Sequence, residues 1–506
     1  MRTIKINYLI IAVFVTTILA SCKKSFVEVA PQGQFLSEYY YKDQDQAYGA
    51  LVAVYDVVRK NSGGFNNMIS LMNSGSDDHV TGGGGPTDGN QFQAFSNYTM
   101  TANVMDASFW NDFYQGILRA NVLLQKLPAV PMDDKVKARF AAETKALRAY
   151  YYFNLVRMFK NVPLLLDALS INDLYSVAQA KPEDVYAQIE KDFTEAIADL
   201  PVALAASTEA GRLTKGAAKA LLGKVYLYEK KNTLAAQQLA DVNGTTPGTT
   251  TASTYGYKLL IKFSDLWDPT NKFNSESIWE ETHSAAGNSA WDFWGSGRDE
   301  GNTVNVMVGP RSYERKDTSA PDLPSGWSFL VFTQNFYDFI KNDPRKDATL
   351  LDVSALQTAG KVNYIAGYMN TGYFLNKFLP RKADVSKGGG NSELNYRQDT
   401  YIIRLADTYL MEAEALGGTG ARAQALLDAV RTRAGLTSVP VTLAAIKNER
   451  RAELAGEGHR WFDLVRWGDA PAVLGSRGFV SGKHEIFPIP FRETQGTKIQ
   501  QNPNYN

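Results

Sequence analysis

The densest group of side chains that could do chemistry lies near the C-terminus, in residues 449–466. It mixes carboxylates, guanidinium groups and the imidazole of His459, which together could serve general acid–base catalysis. Mixed charge clusters are more often ion-pair networks that hold a fold together, and the fixed fork of guanidinium donors suits arginine to them. We therefore interpret this segment as a structural network that ties the last helices to the rest of the protein.

Adjacent carboxylates occur at Asp77-Asp78 and at Glu280-Glu281. A glycoside hydrolase needs two acids that face one bond, whereas successive side chains of a strand point to opposite faces. The chain also has no GxSxG nucleophile motif, and the glycine run at residues 82–85 lacks the Lys-Ser/Thr of a phosphate loop. These patterns indicate that the protein is not an enzyme, although distant carboxylates could still meet in the fold.

Metal and cofactor chemistry has little support in the sequence. The chain has a single cysteine, Cys22, and four histidines, none at the HExxH spacing. One cysteine excludes an internal disulfide and a cysteine-based zinc or iron–sulfur site. Asp77, Asp78 and Asp88 could supply oxygen ligands to calcium, but they lack the EF-hand spacing. We expect neither a metal nor a cofactor.

Aromatic residues provide the evidence for a binding function. A sugar presents apolar C–H faces and a rim of hydroxyls, so flat rings can hold its faces while polar side chains bond its rim. Trp291, Trp294 and Arg298 lie together in a region rich in glycine and serine, and Trp327 follows. We predict that these residues bind a ligand. The alternative is that the tryptophans lie in the core or face a protein partner.

A second, earlier loop region covers residues 61–98 and includes the glycine run. Its polar residues Asn73, Asp77, Asp78 and Tyr98 are the predicted partners for the hydroxyl rim. Long loops inside a compact protein are usually functional.

Composition limits the class of protein. The chain has 506 residues, of which 44% are hydrophobic, and its formal net charge is +0. It can therefore bury a large core, with two lobes expected, and it lacks the basic face that a nucleic-acid partner would require.

The N-terminus resembles an export signal. Arg2 and Lys5 precede an apolar stretch at residues 8–20, which is shorter than the roughly 20 residues that span a bilayer and is typical of a signal peptide. Residues 19–22 (LASC) resemble the bacterial lipobox, in which the cysteine is acylated after cleavage. We therefore predict a signal peptide at residues 1–21, a lipidated Cys22 and a tether at residues 22–40. Several acyl chains anchor a protein stably.

The remaining chain is predicted to be mainly helical. Apolar residues follow a helical period at residues 143–158, 402–415 and 421–433, Pro182 opens another helix, and Thr214 caps a further one. Small residues at positions 216–223 would let neighbouring helices approach closely. These helix–turn–helix pairs are similar to tetratricopeptide units without an exact repeat. Long irregular insertions are predicted at residues 61–98 and 234–353.

Six further features of the sequence recur in one known family. They are RANVLL at residues 119–124, residues 143–163, RLADTYLMEAEA at 404–415, VRTRAG at 430–435, ERRAELAGEGHRWFDLVRWG at 449–468, and FPIP with QNP at 487–490 and 501–503. Together these segments resemble the SusD/RagB family of outer-membrane nutrient-binding lipoproteins. One departure is Lys160-Asn161, where the family has glycine, and it should alter only a turn.

The resemblance implies a tetratricopeptide-like helical scaffold whose long loops form a ligand-binding lobe, with a SusD-like helical region at residues 41–233 and a RagB/SusD region at 234–506. It implies a partner, a TonB-dependent outer-membrane transporter of the SusC/RagA type. Family members bind their ligand with loops from the two regions named above. The ligand is usually a glycan and sometimes a peptide.

We therefore predict a lipid-anchored protein of the outer membrane, exposed at the cell surface, that binds an oligosaccharide and delivers it to the transporter without catalysis. Lys23-Lys24 stands where some surface-exported lipoproteins carry an acidic run after the cysteine. The lipobox therefore carries the prediction of the anchor, and the family resemblance carries that of the cell-surface face. The alternatives are a peptide ligand on the same architecture, a glycoside hydrolase, and a structural scaffold without a ligand.

Overall fold

The computed structural model describes residues 40–169, 173, 175–286, 290–291 and 301–505. The predicted signal peptide, the lipidated Cys22 and the tether up to residue 39 lie outside these residues. Trp294 and Arg298 of the second loop region also lie outside them.

Helices dominate the described chain, and the predicted fold class is confirmed. None of the helices in this part of the chain is both long and apolar enough to cross a membrane. The α-helices are α1 (Gln44–Tyr55), α2 (Met68–Ser74), α3 (Asn90–Ser96), α4 (Ser108–Lys126), α5 (Asp134–Phe159), α6 (Pro182–Asp199), α7 (Ala206–Glu209), α8 (Lys215–Tyr228), α9 (Asn232–Asn243), α10 (Thr303–Val308), α11 (Gln334–Ile340), α12 (Lys346–Thr349), α13 (Val353–Thr358), α14 (Leu405–Ala415), α15 (Gly420–Arg433), α16 (Leu443–Glu453), α17 (Arg460–Trp467) and α18 (Ala470–Leu474). Short 3-10 helices lie at Asp56–Asn61, Leu127–Ala129, Phe263–Trp267, Asn376–Phe378, Lys382–Asp384, Ser392–Leu394, Gly475–Arg477 and Phe491–Thr494.

The strands of the described chain are short and form two-stranded antiparallel sheets. In the sheet of β1 and β4, His79 lies opposite Phe332, so two loop regions that are far apart in sequence are joined. These sheets connect distant segments rather than form a layer of the fold. The strands are β1 (His79–Gly82), β2 (Ser277–Glu281), β3 (Arg311–Arg315), β4 (Phe329–Phe332), β5 (Leu350–Asp352), β6 (Val362–Ile365), β7 (Tyr373–Leu375) and β8 (Thr400–Arg404), and the pairs are β1–β4, β2–β8, β3–β6 and β5–β7.

Helix boundaries follow local signals in the sequence. The Thr214 hydroxyl accepts a hydrogen bond from the backbone N–H of Ala217 and caps α8, and Pro182 occupies the first turn of α6, where its missing N–H costs nothing. Helix α5 ends at Phe159, and the next residue, Lys160, has a φ of +65°. This left-handed value costs a residue other than glycine about 1–2 kcal/mol. The departure from the family's glycine therefore lies in the turn that ends α5, and that it alters nothing beyond this turn stays a prediction.

The helices α4, α5, α6, α8, α9, α14 and α15 form a continuous row in which each packs against the next. Small residues permit the close contacts, as predicted: a Cβ atom on Gly223 of α8 would lie 2.7 Å from Cγ of Leu239 on α9. A row of stacked helix pairs is the architecture of tetratricopeptide-like scaffolds. One cluster of buried apolar side chains extends from Ala47 to Ile489 and covers both predicted regions, whose boundary at residues 233 and 234 stays a prediction.

The chain leaves this row after α9 and returns to it at α14. The insertion between them starts later than predicted, because residues 234–243 belong to α9, and it continues to the end of β8. The prediction of a helix from Ile402 was wrong for residues 402–404, which belong to strand β8. Ile403 and Arg404 lie opposite Trp279 and Ser277 of β2. The early region is also more regular than predicted, since α2, β1 and α3 lie within residues 61–98.

The C-terminal charge cluster is an ion-pair network, as predicted. Arg450 of α16 donates to Asp407 of α14 at 2.7 Å and to Asp463 of α17 at 2.9 Å. Arg404, at the end of β8, donates to Glu453 of α16 at 2.6 Å. All five side chains are buried, so the network joins the last helices to the helical row and to the insertion.

Candidate functional site

Two tryptophans of the second loop region stack on each other. The ring centroids of Trp291 and Trp327 lie 5.9 Å apart, and the ring planes are inclined by 30°. Trp291 is 43% exposed and Trp327 is half-buried, so part of the stacked rings faces solvent. We call these two residues the tryptophan pair.

The backbone of the insertion holds Trp327 in place. Its N–H donates to the carbonyl of Val306 in α10 at 2.9 Å, and its carbonyl accepts from Nε of Arg311 at 3.0 Å. The buried residues Ser328 and Leu330 that follow have φ values of +58° and +57°, a conformation that costs energy in residues other than glycine. Such strain persists only where the surrounding structure imposes it, and here it directs the chain from Trp327 into β4.

An aromatic cluster supports the tryptophan pair. The Phe65 ring lies 6.1 Å from the Trp327 ring, measured between centroids. Phe65 also contacts Phe92 at 5.1 Å and Phe329 at 5.5 Å. Phe65 and Phe92 come from the early loop region, whereas Phe329 is in β4, so both loop regions contribute to the base of the site.

The pairing of β1 with β4 brings the glycine run beside the tryptophan pair. The Gly83 N–H donates to the Ser328 carbonyl at 2.9 Å. Gly82 has a φ of +71°, and a Cβ atom at this position would lie 2.1 Å from the same carbonyl oxygen. Only glycine fits there, because any side chain would push the early loop away from Trp327.

An ion pair lies at the edge of this surface. One oxygen of Asp88 accepts from Nη2 of Arg311 at 3.1 Å and from the Gly84 N–H at 2.6 Å. The Asp88 and Arg311 side chains are 39% and 31% exposed. Close by, the side-chain oxygen of Asn391 accepts a hydrogen bond from the backbone N–H of Trp291 at 3.3 Å. A flat apolar surface with fixed polar groups at its edge can hold a polyhydroxylated ligand.

The early-loop residues predicted to bind ligand have contacts inside the protein. Asn73 donates to the Gly456 carbonyl at 2.7 Å, Asp77 accepts from Arg460 at 2.8 Å, and the Tyr98 hydroxyl donates to the Gly75 carbonyl. Asn73 is 1% exposed and Tyr98 is 6% exposed, which leaves little of either for a ligand. These contacts stabilise the junction with the C-terminal network, and we leave the four residues, including Asp78, out of the proposed site.

Asp78 has the most perturbed carboxyl of this group. Burial raises its pKa to about 6, and the charge of Asp77 adds to the effect, while Arg451 and Arg460 oppose it. A perturbed carboxyl is a candidate for catalysis when it faces a cleft. Asp78 is 1% exposed and accepts from Nε of Arg451 at 2.8 Å, so its shift follows from its place in the structural network.

A serine, a histidine and a glutamate also meet in the interior. The Ser62 hydroxyl lies 2.7 Å from Nε2 of His283 and donates to Glu281 at 2.5 Å. The Glu281 carboxylate lies 3.4 Å from the same imidazole nitrogen. A catalytic triad instead places the carboxylate on the other nitrogen and exposes the hydroxyl, whereas Ser62 is fully buried. This group therefore lacks the geometry of a triad.

Sequence reasoning missed most of the polar and supporting residues of this surface. Asp88 was considered only as a calcium ligand, and Phe65, Arg311 and Asn391 were not singled out. These residues lie in separate segments, and no local motif marks any of them. The sequence-based prediction was that two loop regions contribute to ligand binding, and it named none of these four residues as a ligand-binding residue.

Two family models match the chain. The model described as the SusD family matches residues 275–478. The model described as starch-binding and associating with the outer membrane matches residues 35–227. Together they match most of the helical row and the insertion from residue 275 onward, whereas residues 228–274, which include α9, lie outside both matches.

Similar proteins match over most of their length. A solved structure described as a laminarin binding SusD-like protein is 60% identical, covers 92% of this chain and 100% of its own, and has a TM-score of 0.90. Surface glycan-binding protein A from Bacteroides thetaiotaomicron, solved in complex with laminarihexaose, is 25% identical, with coverage of 91% and 99% and a TM-score of 0.80. A SusD-like protein of Bacteroides ovatus is 25% identical over 503 residues, which are 92% of this chain and 83% of that protein.

Proposed function

The chain belongs to the SusD family, and on that premise we propose that it binds a glucan of the laminarin type at the outer membrane. The observation that carries this proposal is the exposed tryptophan pair with Asp88 and Arg311 at its edge. The ligand class is supported by the relative at 60% identity, which is described as laminarin binding, and by the relative solved with laminarihexaose.

Each part of the surface has a role in this proposal. The apolar face of a glucose unit packs on the exposed part of Trp291, while its hydroxyls donate to the Asp88 carboxylate and accept from Arg311. Trp294 and Arg298 follow Trp291 closely in sequence, and we propose that they also bind the glycan. Because contacts within the protein hold the ion pair and the supporting phenylalanines, little ordering energy is lost on binding. Binding is moderate and reversible, so that the glycan can be passed on.

We propose that no bond is cleaved at this surface. A glycosidase places two carboxyls about 5–10 Å apart across the scissile bond. Asp88 is the carboxylate that we place at the tryptophan pair, and it is held by Arg311 and by the Gly84 N–H. The adjacent acids Glu280 and Glu281 are each 3% exposed and bond different partners, the Phe273 N–H and the Ser62 hydroxyl.

The lipid anchor and the partner are part of the proposal. The lipobox-like residues before Cys22 support acylation, and one of the matching families is described as associating with the outer membrane. We infer that the anchored protein sits at the cell surface on a TonB-dependent transporter of the SusC type and delivers the glycan to it. The interface should exceed the ~1,600 Å² of standard stable complexes.

Isothermal titration of the acyl-free protein, made from Lys23 onward, tests the ligand class. Laminarihexaose should bind saturably, whereas cellohexaose and maltohexaose, which have the same sugar with other linkages, should bind more weakly. A panel of hexapeptides covers the alternative ligand. Binding to peptides alone would move the protein to the peptide class, and equal binding of all three hexasaccharides would contradict specificity for laminarin.

A further inference from the structure

A second cavity lies in the insertion, apart from the tryptophan pair. Its volume is about 620 Å³, which is within the range of about 300–1,000 Å³ typical of small-ligand sites. The cavity is bounded by residues 264–269, 376–384 and 396–398, with Asn305 and residues 347–348 completing its wall. Neither Trp291 nor Trp327 lines it.

Two buried polar groups at this cavity lack partners. Asn305 is 1% exposed, and its amide nitrogen donates to the Phe378 carbonyl and to the Gln398 side chain, both at 2.6 Å. These two bonds orient the amide and leave its oxygen buried without a hydrogen-bond partner among the described residues. The indole N–H of Trp267, another lining residue, is buried and unpaired in the same way. An unpaired buried polar group destabilises the protein, so a ligand that pairs both groups gains affinity.

The lining selects the chemistry of that ligand. The ligand must present a donor to the side-chain oxygen of Asn305 and an acceptor to the indole N–H of Trp267. A sugar hydroxyl can serve as either. Carboxylates outnumber guanidinium groups around the cavity, which disfavours an anion. The described residues contain no group of three acids, histidines or cysteines arranged to hold a metal. Leu379 and Pro380 add an apolar side for C–H groups. The charged lining residues are Asp265, Asp268, Asp347, Asp384, Arg381 and Arg397.

We propose that this cavity is a second saccharide-binding site, which takes one or two sugar units and acts independently of the tryptophan pair. One sugar hydroxyl donates to the Asn305 oxygen, and another accepts from the Trp267 N–H. Asp268 and Asp384 accept further hydroxyls at the wall. The choice of a saccharide rests partly on the proposed function, whereas the presence of a second site rests on the cavity itself.

Equilibrium dialysis with labelled laminaribiose counts the sites. Ala383 lies exposed at the rim, in the 3-10 helix Lys382–Asp384, so Ala383→Trp can fill the cavity without removing a buried contact. Ala383→Ser is the matched control, and Trp327→Ala disables the tryptophan pair. We expect two sites in the unmodified protein and in Ala383→Ser, one site in each of Ala383→Trp and Trp327→Ala, and none in the double variant.

Hydrogen exchange adds a readout that does not depend on the filling variant. In the Trp327→Ala background, laminaribiose should slow the exchange of backbone amides in residues 376–384 and 396–398. A single site that is lost in Trp327→Ala and retained in Ala383→Trp, with no protection of these amides, would overturn the second site and leave the proposed function intact. A single site that is lost only in Ala383→Trp would support the cavity and overturn the role of the tryptophan pair. Absence of all saccharide binding would overturn both.

Discussion

Replacing Trp291 with alanine removes the more exposed ring of the tryptophan pair. Trp291 is 43% exposed, and a tryptophan side chain has about 250 Å² of surface, so about 110 Å² is accessible to a ligand by that principle. A sugar ring lying on one face covers about half of this area, which at ~25 cal/mol per Å² corresponds to about 1.4 kcal/mol. We therefore expect Trp291→Ala to weaken laminarihexaose binding about tenfold.

Isothermal titration at one temperature and salt concentration measures this change. Trp291→Phe keeps a smaller flat face and should weaken binding only about twofold to threefold, in proportion to the area lost. Trp467 provides a matched control, because it lies at the end of α17 and its indole N–H donates to Glu414. Trp467→Phe should leave the affinity unchanged.

Circular dichroism and thermal unfolding of the variants must show that the fold is intact. A loss of less than twofold in folded Trp291→Ala would refute the reasoning, because the exposed ring would then contribute no area to the ligand. An equal loss in Trp291→Phe and Trp291→Ala would also contradict it, since area could not be the cause.

Three further predictions address the anchor, the ion-pair network and the response to pH. Cys22→Ser should abolish labelling by radioactive palmitate and move the protein from the membrane fraction to the soluble fraction; retention in the membrane would contradict the lipid anchor. Arg404→Met should lower the free energy of unfolding by about 3–5 kcal/mol in urea titrations, because Arg404 is 1% exposed and pairs with Glu276, Glu453 and Glu457. Arg315→Met is the control, because it breaks a partly exposed pair with Asp322 and should lower the free energy of unfolding by less than about 1 kcal/mol. Equal losses of stability in Arg404→Met and Arg315→Met would contradict the role of burial. Burial lowers the pKa of His79 to about 3, so its neutral imidazole stabilises the fold above the ordinary pKa of about 6.5, and this contribution is lost as the pH falls toward 3. The free energy of unfolding should therefore decrease between pH 8 and pH 5 in both proteins, but by about 2 kcal/mol less in His79→Phe than in the unmodified protein. If the two proteins lose the same free energy over this range, His79 does not titrate in this way.

The helical scaffold could be predicted from the sequence because its signals are local. The cap at Thr214, the proline at the start of α6 and the apolar period of α5 act within one or two turns, and all of them lie where the sequence placed them. The C-terminal network could be predicted as structural, because a buried cluster of arginines and acids must pair. The prediction was wrong where tertiary pairing outweighed the helical period, as at Ile403, which lies opposite Trp279 of β2 in strand β8.

The candidate site was predicted only by region. The sequence identified two loop regions and the tryptophans of the second, because aromatic residues in loops rich in glycine are unusual. It could not separate Asp77 and Asp78, which face the arginines of the C-terminal network, from Asp88, which faces Arg311. In sequence all three are aspartates of one polar segment.

The sequence by itself thus determined the helical scaffold, because caps, prolines and apolar periods depend on residue type and short spacing. The export signal and the two ligand-binding loop regions stay predictions from patterns of the same kind. Only the tertiary structure decided which residues share the surface. Phe65, Asp88, Arg311 and Trp327 meet because β1 pairs with β4 across about 250 residues of chain. The four-residue strands β1 and β4 are too short for their sequence pattern to predict that they pair. The pairing is stabilised by the apolar side chains that it buries.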